Sequence, residues 1–420
     1  MKKENKCTLS SRTRRNEGRG ALLPSMLMTF LVASAGCVSS SAGPEAEDPF
    51  AGFDMPSMFA SIYDDVILPA HRGFQDSTVT LGVSVAQWSS KEAAGDVTTE
   101  ELSAAKMAFA TAMESWQHIE VLQVGPLHLP VSGAVQAEGL RDEVYSWPLN
   151  NACEVDRHVV DKAYEDAAFI SQKRGNAYGL DALEYLLFAA DDQNACPGLA
   201  SINVDGSWDA LSVGEIRVRR AVYAVVVAAE LERQAQQLVE KMTDFRVHFT
   251  EPGTSSSDFN SADAVLQTLF DGLFYLELST KDEKLGVPVG LQANCAQESC
   301  PDDVESAHAR LSLRNIEANI LAFEHVLEGV GENSNGIFAL LSHLGEEDLS
   351  QQVRAAILVA KERIAQHRAD GNSLTDLISS DLVAAQEIYG AVKAVTDLFK
   401  GDLVTALFLR VPVEASADTD

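Results

Sequence analysis

The chain has 420 residues and a formal net charge of −30 at neutral pH, from 32 basic and 62 acidic side chains. Binding to phosphates needs a basic surface, so we do not expect a nucleic-acid partner. The length is sufficient for two domains of ordinary size.

The first 36 residues are predicted to be a secretory signal peptide. A basic region with seven Lys or Arg and two acidic residues precedes an apolar stretch from Ala21 to Ala35, too short to span a bilayer in the mature protein. Small residues precede Cys37, which fits a lipidation site. We therefore expect a lipid on Cys37, a membrane anchor in the cell envelope and a flexible tether over residues 37–53. An ordinary signal peptide with an incidental cysteine is the alternative.

Four further cysteines belong to the mature part of the chain. An even number of cysteines in an exported protein indicates disulfides, and three pairings are possible. The favoured pairing keeps each bridge local, as Cys153–Cys196 and Cys295–Cys300.

Helical periodicity dominates the chain and convincing strand alternation is absent, so the fold is predicted to be all-α, with two helical bundles. Two Ser/Thr-x-x-Glu capping boxes indicate helix starts at Thr98 and Ser212. The first bundle, residues 54–250, is predicted to contain the helices Met55–Gln87 with a kink or break at Pro69, Thr98 to Trp116 and beyond, Val155–Ala168, Leu180–Ala190 and Ser212–Phe245.

Pro, Gly and Ser cluster after residue 250, which predicts a linker over residues 251–261. The second bundle, residues 262–412, is predicted to contain the helices Ala262–Asp282, Val304–Glu328, Asn335–Leu344, Asp348–Ala369, Leu374–Lys400 and Leu403–Leu409. Residues 413–420 are expected to form an acidic tail.

The segment Gly179-Leu-Asp181-Ala-Leu-Glu184 resembles the imelysin signature Gly-x-His-x-x-Glu. Other segments agree with that family in order and spacing: Trp116-Gln117 before Gly125-Pro126, Tyr145-Ser-Trp147-Pro148-Leu-Asn150, Glu305-Ser306 with Ser312, Asn315 and Asn319, and Leu403 to Leu409 ahead of Asp418 and Asp420. The resemblance covers most of residues 55–412. It implies two related helical bundles, with the signature residues near their interface. It also implies an envelope protein of a kind often tied to the uptake of iron or another metal, and for some members a metallopeptidase.

Asp181 and Glu184 are the first candidate site residues, with Gly179 in support. Residues three apart share a helix face, and two carboxylates there can hold a hard cation such as calcium or ferric iron. Alternatively, Asp181 caps the helix and Glu184 lies on its solvated face. The apolar neighbours of Glu184 argue against exposure, because a buried carboxylate needs a partner. Asp181 stands where the family has a histidine, and the lipoprotein branch of the family resembles this chain in lacking that histidine. The replacement argues against the peptidase interpretation.

A second set of candidates lies elsewhere in the matching segments. Glu120 follows Trp116 by four residues and could reach Glu184 from the same helix face, with Gln117 in support, while Trp116 itself is expected in the core. Glu305, Ser312 and Asn319 recur at intervals of seven, which would align them on one face of the Val304–Glu328 helix. A solvent-exposed polar face is the alternative.

The favoured function is that of an imelysin-like envelope lipoprotein that binds a metal, iron or calcium, or a small ligand between the bundles. It would act in metal uptake beside other envelope proteins. The alternatives are an envelope metallopeptidase and a structural surface lipoprotein without activity. No phosphate-binding loop, nucleophile elbow or His-Glu-x-x-His motif occurs in the sequence, which argues against nucleotide enzymes, serine hydrolases and standard zinc peptidases.

Overall fold

The computed structural model describes residues 48–96, 98–130, 134–149, 151–172, 176–190, 193–331 and 335–416. All regular structure in these ranges is helical, which confirms the all-α prediction. The predicted signal peptide, Cys37, most of the tether and the last residues of the acidic tail lie outside them. Within them, no helix combines the length and the apolar character that a membrane-spanning segment needs.

The helices are of three kinds. Up to residue 250 the α-helices are α1 (Met55–Ser61), α2 (Leu68–Ala94), α3 (Thr99–Glu120), α4 (Leu140–Val144), α5 (Ala152–Asp161), α6 (Leu180–Phe188), α7 (Ser201–Val204) and α8 (Val213–Thr250). The α-helices that follow are α9 (Ala262–Leu273), α10 (Ser312–Glu328), α11 (Ile337–His343), α12 (Glu347–Ala369), α13 (Leu374–Ser380), α14 (Leu382–Leu398), α15 (Val404–Ala406) and α16 (Val413–Ser416). Short 3-10 turns lie at Gly125–Leu127, Ala163–Glu165, Ile170–Gln172 and Pro301–Asp303, and wider π-helical segments at Ile62–Ile67, Leu276–Gly286 and Phe399–Leu403.

Two long helices, α3 and α8, begin at the predicted capping boxes. The hydroxyl of Ser212 accepts a hydrogen bond from the Glu215 amide at 3.2 Å, and the Glu215 carboxylate accepts one from the Ser212 amide at 2.9 Å. Thr98 and Glu101 form the same arrangement at the start of α3. These contacts satisfy amides that would otherwise be unpaired at a helix start. Local sequence therefore fixes both N-termini.

The predicted kink or break at Pro69 is instead a π-helical widening. Helix α1, the π segment and α2 follow one another without a gap. Proline has no N–H to donate to the carbonyl four residues earlier. Just before it, the Leu68 amide bonds to the Tyr63 carbonyl, five residues back. The helix accommodates the proline by widening one turn.

Two predicted helices fail where the chain takes a positive φ. The predicted helix 304–328 begins only at residue 312, because Ser306 and Arg310 have φ of 51° and 61°. The predicted helix 155–168 ends at residue 161, because Lys162 has φ of 53°. A right-handed helix excludes these angles. Glu305 therefore lies on a turn and not on α10.

Two further predicted helices are interrupted. The one at 262–282 leaves the α conformation after Leu273 and continues as the π segment from Leu276. The one at 374–400 is divided at Asp381, whose carboxylate accepts a hydrogen bond from the Ala384 amide at 3.1 Å. Asp381 thus caps the start of α14, which requires it to leave helical geometry.

Apolar side chains form two hydrophobic cores. One lies among α2, α3, α5, α6 and the N-terminal part of α8, and includes Phe74 and Leu183. The other takes in α1, the end of α8 and α9 to α14, and includes Phe249 and Phe323. Helix α3 packs against α10 of the second core. Helix α8 contributes to both cores, and the division of the chain at residues 251–261 stays a prediction.

Candidate functional site

Helix α6 carries the signature segment and begins at Gly179. This residue has φ of 96°, a conformation open to glycine and rarely to other residues. A Cβ atom at this position would lie 2.8 Å from the Val144 carbonyl oxygen. Glycine therefore lets the chain turn into α6 directly against the end of α4.

Asp181 lies in the first turn of α6 with its side chain buried. Its Oδ2 accepts a hydrogen bond from the Ser146 hydroxyl at 2.7 Å, whereas its Oδ1 has no hydrogen-bond partner among the described residues. Burial raises the pKa of Asp181 to about 6, against the opposing effect of Ser146 and nearby amides. Gly179 occupies the N-cap position, and Asp181 lies two residues further on. The amides of Asp181 and Ala182 in the first turn of α6 lower the pKa of this carboxylate, so the helix-cap interpretation of Asp181 stays an alternative.

Glu184 is buried one turn further along α6. Its Oε2 accepts a hydrogen bond from the Ser306 hydroxyl at 2.7 Å, and its Oε1 accepts one from the Ala309 amide at 2.9 Å. Burial raises the pKa of Glu184 to about 7, although both hydrogen bonds oppose the shift. The interpretation of Glu184 as a residue of a solvated face is wrong, and its partners come from the turn before α10.

Asp181 and Glu184 line one pocket of about 200 Å³, which we call the Asp181 pocket. Its wall also includes Tyr145, Ser306 and His308. The donor atoms that these residues offer are mostly oxygens, which suits a hard cation better than zinc. Within the described ranges, no group of three or more His, Cys, Asp or Glu side chains is spaced to hold a metal. Asp302, an exposed residue, is a third carboxylate in the pocket wall. A bound cation would therefore combine Asp181 and Glu184 with Asp302, hydroxyl oxygens or water.

Deeper than the pocket lies a fully buried ionic cluster around Lys284. The Lys284 Nζ contacts Glu120 Oε2 at 2.7 Å and Glu305 Oε1 at 3.0 Å. It also donates hydrogen bonds to Gln117 Oε1 at 2.6 Å and Asn319 Oδ1 at 3.0 Å. We call these five residues the Lys284 cluster. It joins α3, the π segment 276–286, the turn at Glu305 and α10.

The charges of the Lys284 cluster compensate one another. Burial alone would lower the pKa of Lys284, but the carboxylates of Glu120 and Glu305 outweigh it and raise that pKa above its ordinary value. Burial would raise the pKa of Glu120, yet Lys284 and Arg141 lower it. Arg141 contacts Glu120 Oε1 at 2.8 Å. Burial raises the pKa of Glu305 despite the ammonium beside it.

Tyr145 connects the cluster to the pocket. Its hydroxyl donates a hydrogen bond to Glu305 Oε1 at 3.1 Å, and its side chain lines the Asp181 pocket. Ser306, the next residue after Glu305, holds Glu184. The Glu305–Ser306 turn thus bonds to the cluster through one side chain and to the pocket through the next.

The structure groups the sequence candidates differently from the predictions. Gln117, Glu120, Glu305 and Asn319 meet in the Lys284 cluster, whereas Glu120 takes Lys284 and Arg141 as partners in place of Glu184. The alignment of Glu305 with Ser312 and Asn319 on one helix is wrong, because the helix begins at Ser312. The Ser312 side chain is buried outside the cluster, and its hydroxyl has no hydrogen-bond partner in the part of the chain that the structure describes.

Trp116 is a core residue, as predicted. Its ring is fully buried, and its centroid lies 5.3 Å from that of Phe74. Lys284 and Arg141 are charged partners of the buried glutamates that the sequence analysis did not predict. Lys284 belongs to the run Lys-Asp-Glu-Lys, which has the composition of an exposed surface, and only the π segment carries it inward.

Both predicted disulfides are present in the structure. Cys153–Cys196 joins the start of α5 to the loop after α6, and Cys295–Cys300 closes a short loop before α10. The first bridge lies near the Asp181 pocket, because Ala152 and Val155 of α5 line it. It therefore fixes one wall of the pocket to the segment that follows α6.

Comparisons with known proteins agree with this architecture. The imelysin pattern matches residues 67–400. Iron-regulated protein A of Synechococcus elongatus is 24% identical over 248 residues, which are 58% of this chain and 56% of that relative, so the match spans little more than half its length.

Two solved structures share the fold. An imelysin-like protein from Psychrobacter arcticum has a TM-score of 0.64 and 16% identity, over 85% of this chain and 96% of its own. A candidate iron-regulated protein A precursor from Parabacteroides distasonis has a TM-score of 0.63 and 15% identity, over 88% and 97%. With the pattern match over most of the sequence, these findings show that the chain belongs to the imelysin family.

Proposed function

We propose that this chain is a lipid-anchored cell-envelope protein that binds a hard metal cation through Asp181 and Glu184. One observation carries the proposal: two buried carboxylates, one helical turn apart, line the same pocket, and Asp181 Oδ1 has no hydrogen-bond partner among the described residues. A buried carboxylate is costly unless a partner compensates for the lost water. A cation in the pocket would be such a partner.

The distribution of charge supports this choice of site. In the Lys284 cluster, Lys284 and Arg141 already face Glu120 and Glu305. None of the ion pairs found within the described ranges involves Asp181 or Glu184. A positively charged ligand is therefore attracted more strongly to the pocket than to the cluster beneath it.

The donor set and one relative together suggest iron. Carboxylate and hydroxyl oxygens favour calcium or ferric iron over zinc. The Synechococcus relative is named an iron-regulated protein, which adds support for a connection with iron. We infer a role in metal acquisition beside other envelope uptake proteins, with the predicted lipid on Cys37 as the membrane anchor.

Calorimetric titration of the purified protein with ferric citrate, calcium and zinc tests the proposal. We expect micromolar or tighter binding of iron or calcium that is lost in the double variant Asp181→Asn, Glu184→Gln. The matched control is Asp209→Asn, Asp244→Asn, which removes the same charge from exposed positions. If no metal or chelate binds with micromolar affinity, the metal role fails, and a purely structural surface protein becomes the better reading.

A metallopeptidase is the less favoured function. Aspartate replaces the signature histidine at position 181, and no three His, Cys, Asp or Glu side chains in the described ranges are grouped to hold a metal, so three protein ligands and a separate base are hard to assemble here. Proteolysis that needs Glu184 and stops with a chelator would favour it. Activity that survives Glu184→Gln would remove this site as its source.

A further inference from the structure

A second, larger cavity of about 480 Å³ lies between α4, the middle of α8 and the turns at 163–172. We call it the α8 cavity. It shares no lining residue with the Asp181 pocket. Its volume lies in the range of pockets that enclose small organic molecules, roughly 300–1,000 Å³. The cavity is therefore large enough for a ligand of its own.

The lining of the α8 cavity combines apolar walls with an acidic rim. The apolar side chains are Leu140, Val144, Ala167, Ile170 and Leu238. The charged side chains are three carboxylates, Glu138, Glu143 and Glu230, and one guanidinium, Arg233. Arg233 pairs with Glu230 at 2.5 Å, and Lys241 beside the cavity pairs with Glu138 at 2.6 Å. The three carboxylates outnumber the two cations paired with them, so the rim keeps one net negative charge. It favours a molecule with an apolar body and a positive charge over an anionic one.

Gln234 adds a buried amide to the cavity wall. It is 5% exposed, and its Nε2 donates a hydrogen bond to Glu230 Oε1 at 2.9 Å. A carboxylate can only accept, so this bond fixes which end of the amide faces Glu230. The opposite atom, Oε1, has no hydrogen-bond partner among the described residues. A buried acceptor costs free energy when it receives no hydrogen bond.

We propose that the α8 cavity binds a small organic cation, an ammonium group on an apolar body. The ammonium N–H donates to Gln234 Oε1 near the carboxylates of the rim, and the apolar body contacts Ile170 and Leu238. This site is independent of the metal site proposed above. A ligand that only needed apolar surface would not satisfy Gln234, and an anion would face the carboxylates.

Methyl NMR on the full protein, labelled at Ile, Leu and Val methyl groups, tests the proposal with three probes of equal chain length. These are hexylammonium, hexanol and hexanoate. We expect saturable shifts of the Ile170 and Leu238 methyl signals with hexylammonium, with an affinity about tenfold or more above that of hexanoate. Absent shifts at these two residues, or equal affinity for hexanoate, would overturn the proposal.

Three variants separate this site from others. Ala167→Trp places a large ring at an exposed position of the cavity wall and should abolish the shifts. Gln234→Leu removes the acceptor and should weaken the binding of hexylammonium. Asp181→Asn should leave the methyl shifts and the hexylammonium affinity unchanged. Hexylammonium shifts that persist in Ala167→Trp, or that vanish in Asp181→Asn, would assign the binding to another site and refute the proposal.

Discussion

Removal of the two pocket carboxylates should change how stability depends on pH. Folding raises the pKa of Asp181 from 3.8 to about 6 and that of Glu184 from 4.5 to about 7. The native protein therefore binds protons more tightly than the unfolded chain, and the free energy of unfolding falls as pH rises between about 4 and 7. Each difference in pKa corresponds to about 3 kcal/mol of lost stability once both groups are ionised.

In the double variant Asp181→Asn, Glu184→Gln, the free energy of unfolding should not show this fall with rising pH. Relative to the wild type, its free energy of unfolding should rise by several kcal/mol between pH 4 and pH 8, up to about 6 kcal/mol if the two groups act independently. Urea unfolding, followed by circular dichroism with chelator present, measures the difference at each pH. Any pH-independent effect of the amide substitutions on stability does not change the slope of this difference against pH. Parallel curves for variant and wild type would show that these carboxylates titrate normally and would refute the reasoning.

The remaining predictions concern the frame around the pocket. Lys284→Met leaves two buried glutamates without their shared cation and should cost roughly 3–5 kcal/mol in chemical denaturation; a cost below about 1 kcal/mol would mean that the cluster is not closed to water. Gly179→Ala should destabilise the fold, because residue 179 has a positive φ and the added Cβ would lie 2.8 Å from a backbone oxygen. The control is Gly198→Ala, whose added Cβ would have no atom within 4 Å. Equal melting temperatures of the two variants would contradict the geometry. Loss of the Cys153–Cys196 bridge, which spans 43 residues, should cost about 4 kcal/mol, and unchanged unfolding of the double serine variant would count against it.

The sequence was most informative where short-range chemistry decides the structure. Ser212 and Glu215 reciprocally bond at the start of α8, and this arrangement can be read from spacing alone. The glycine at position 179 likewise marks the entry to α6. The disulfide pairing followed from keeping each bridge local. The burial of Glu184 among apolar neighbours already argued for a partner, although not for which one.

Long-range partners were not predictable in the same way. Lys284 is separated from Glu120 by 164 residues, and no local pattern indicates that pairing. The helix predicted over residues 304–328 failed because Ser306 takes a positive φ and turns its hydroxyl to Glu184 across the molecule. The hydrophobic periodicity of a segment depends on local sequence alone, so it cannot reveal a turn whose conformation is stabilised by a distant carboxylate.

The most direct test of the metal proposal is the position of bound iron in crystals of the protein grown with ferric citrate. Anomalous scattering at the iron edge locates the ion without assumptions about its ligands. We expect a peak within about 2.5 Å of Asp181 Oδ1 and of a Glu184 oxygen, a distance typical of oxygen ligands. The peak should disappear in crystals of the Asp181→Asn, Glu184→Gln variant. A peak elsewhere on the chain, or no peak at an iron concentration that saturates the calorimetric titration, would contradict the account.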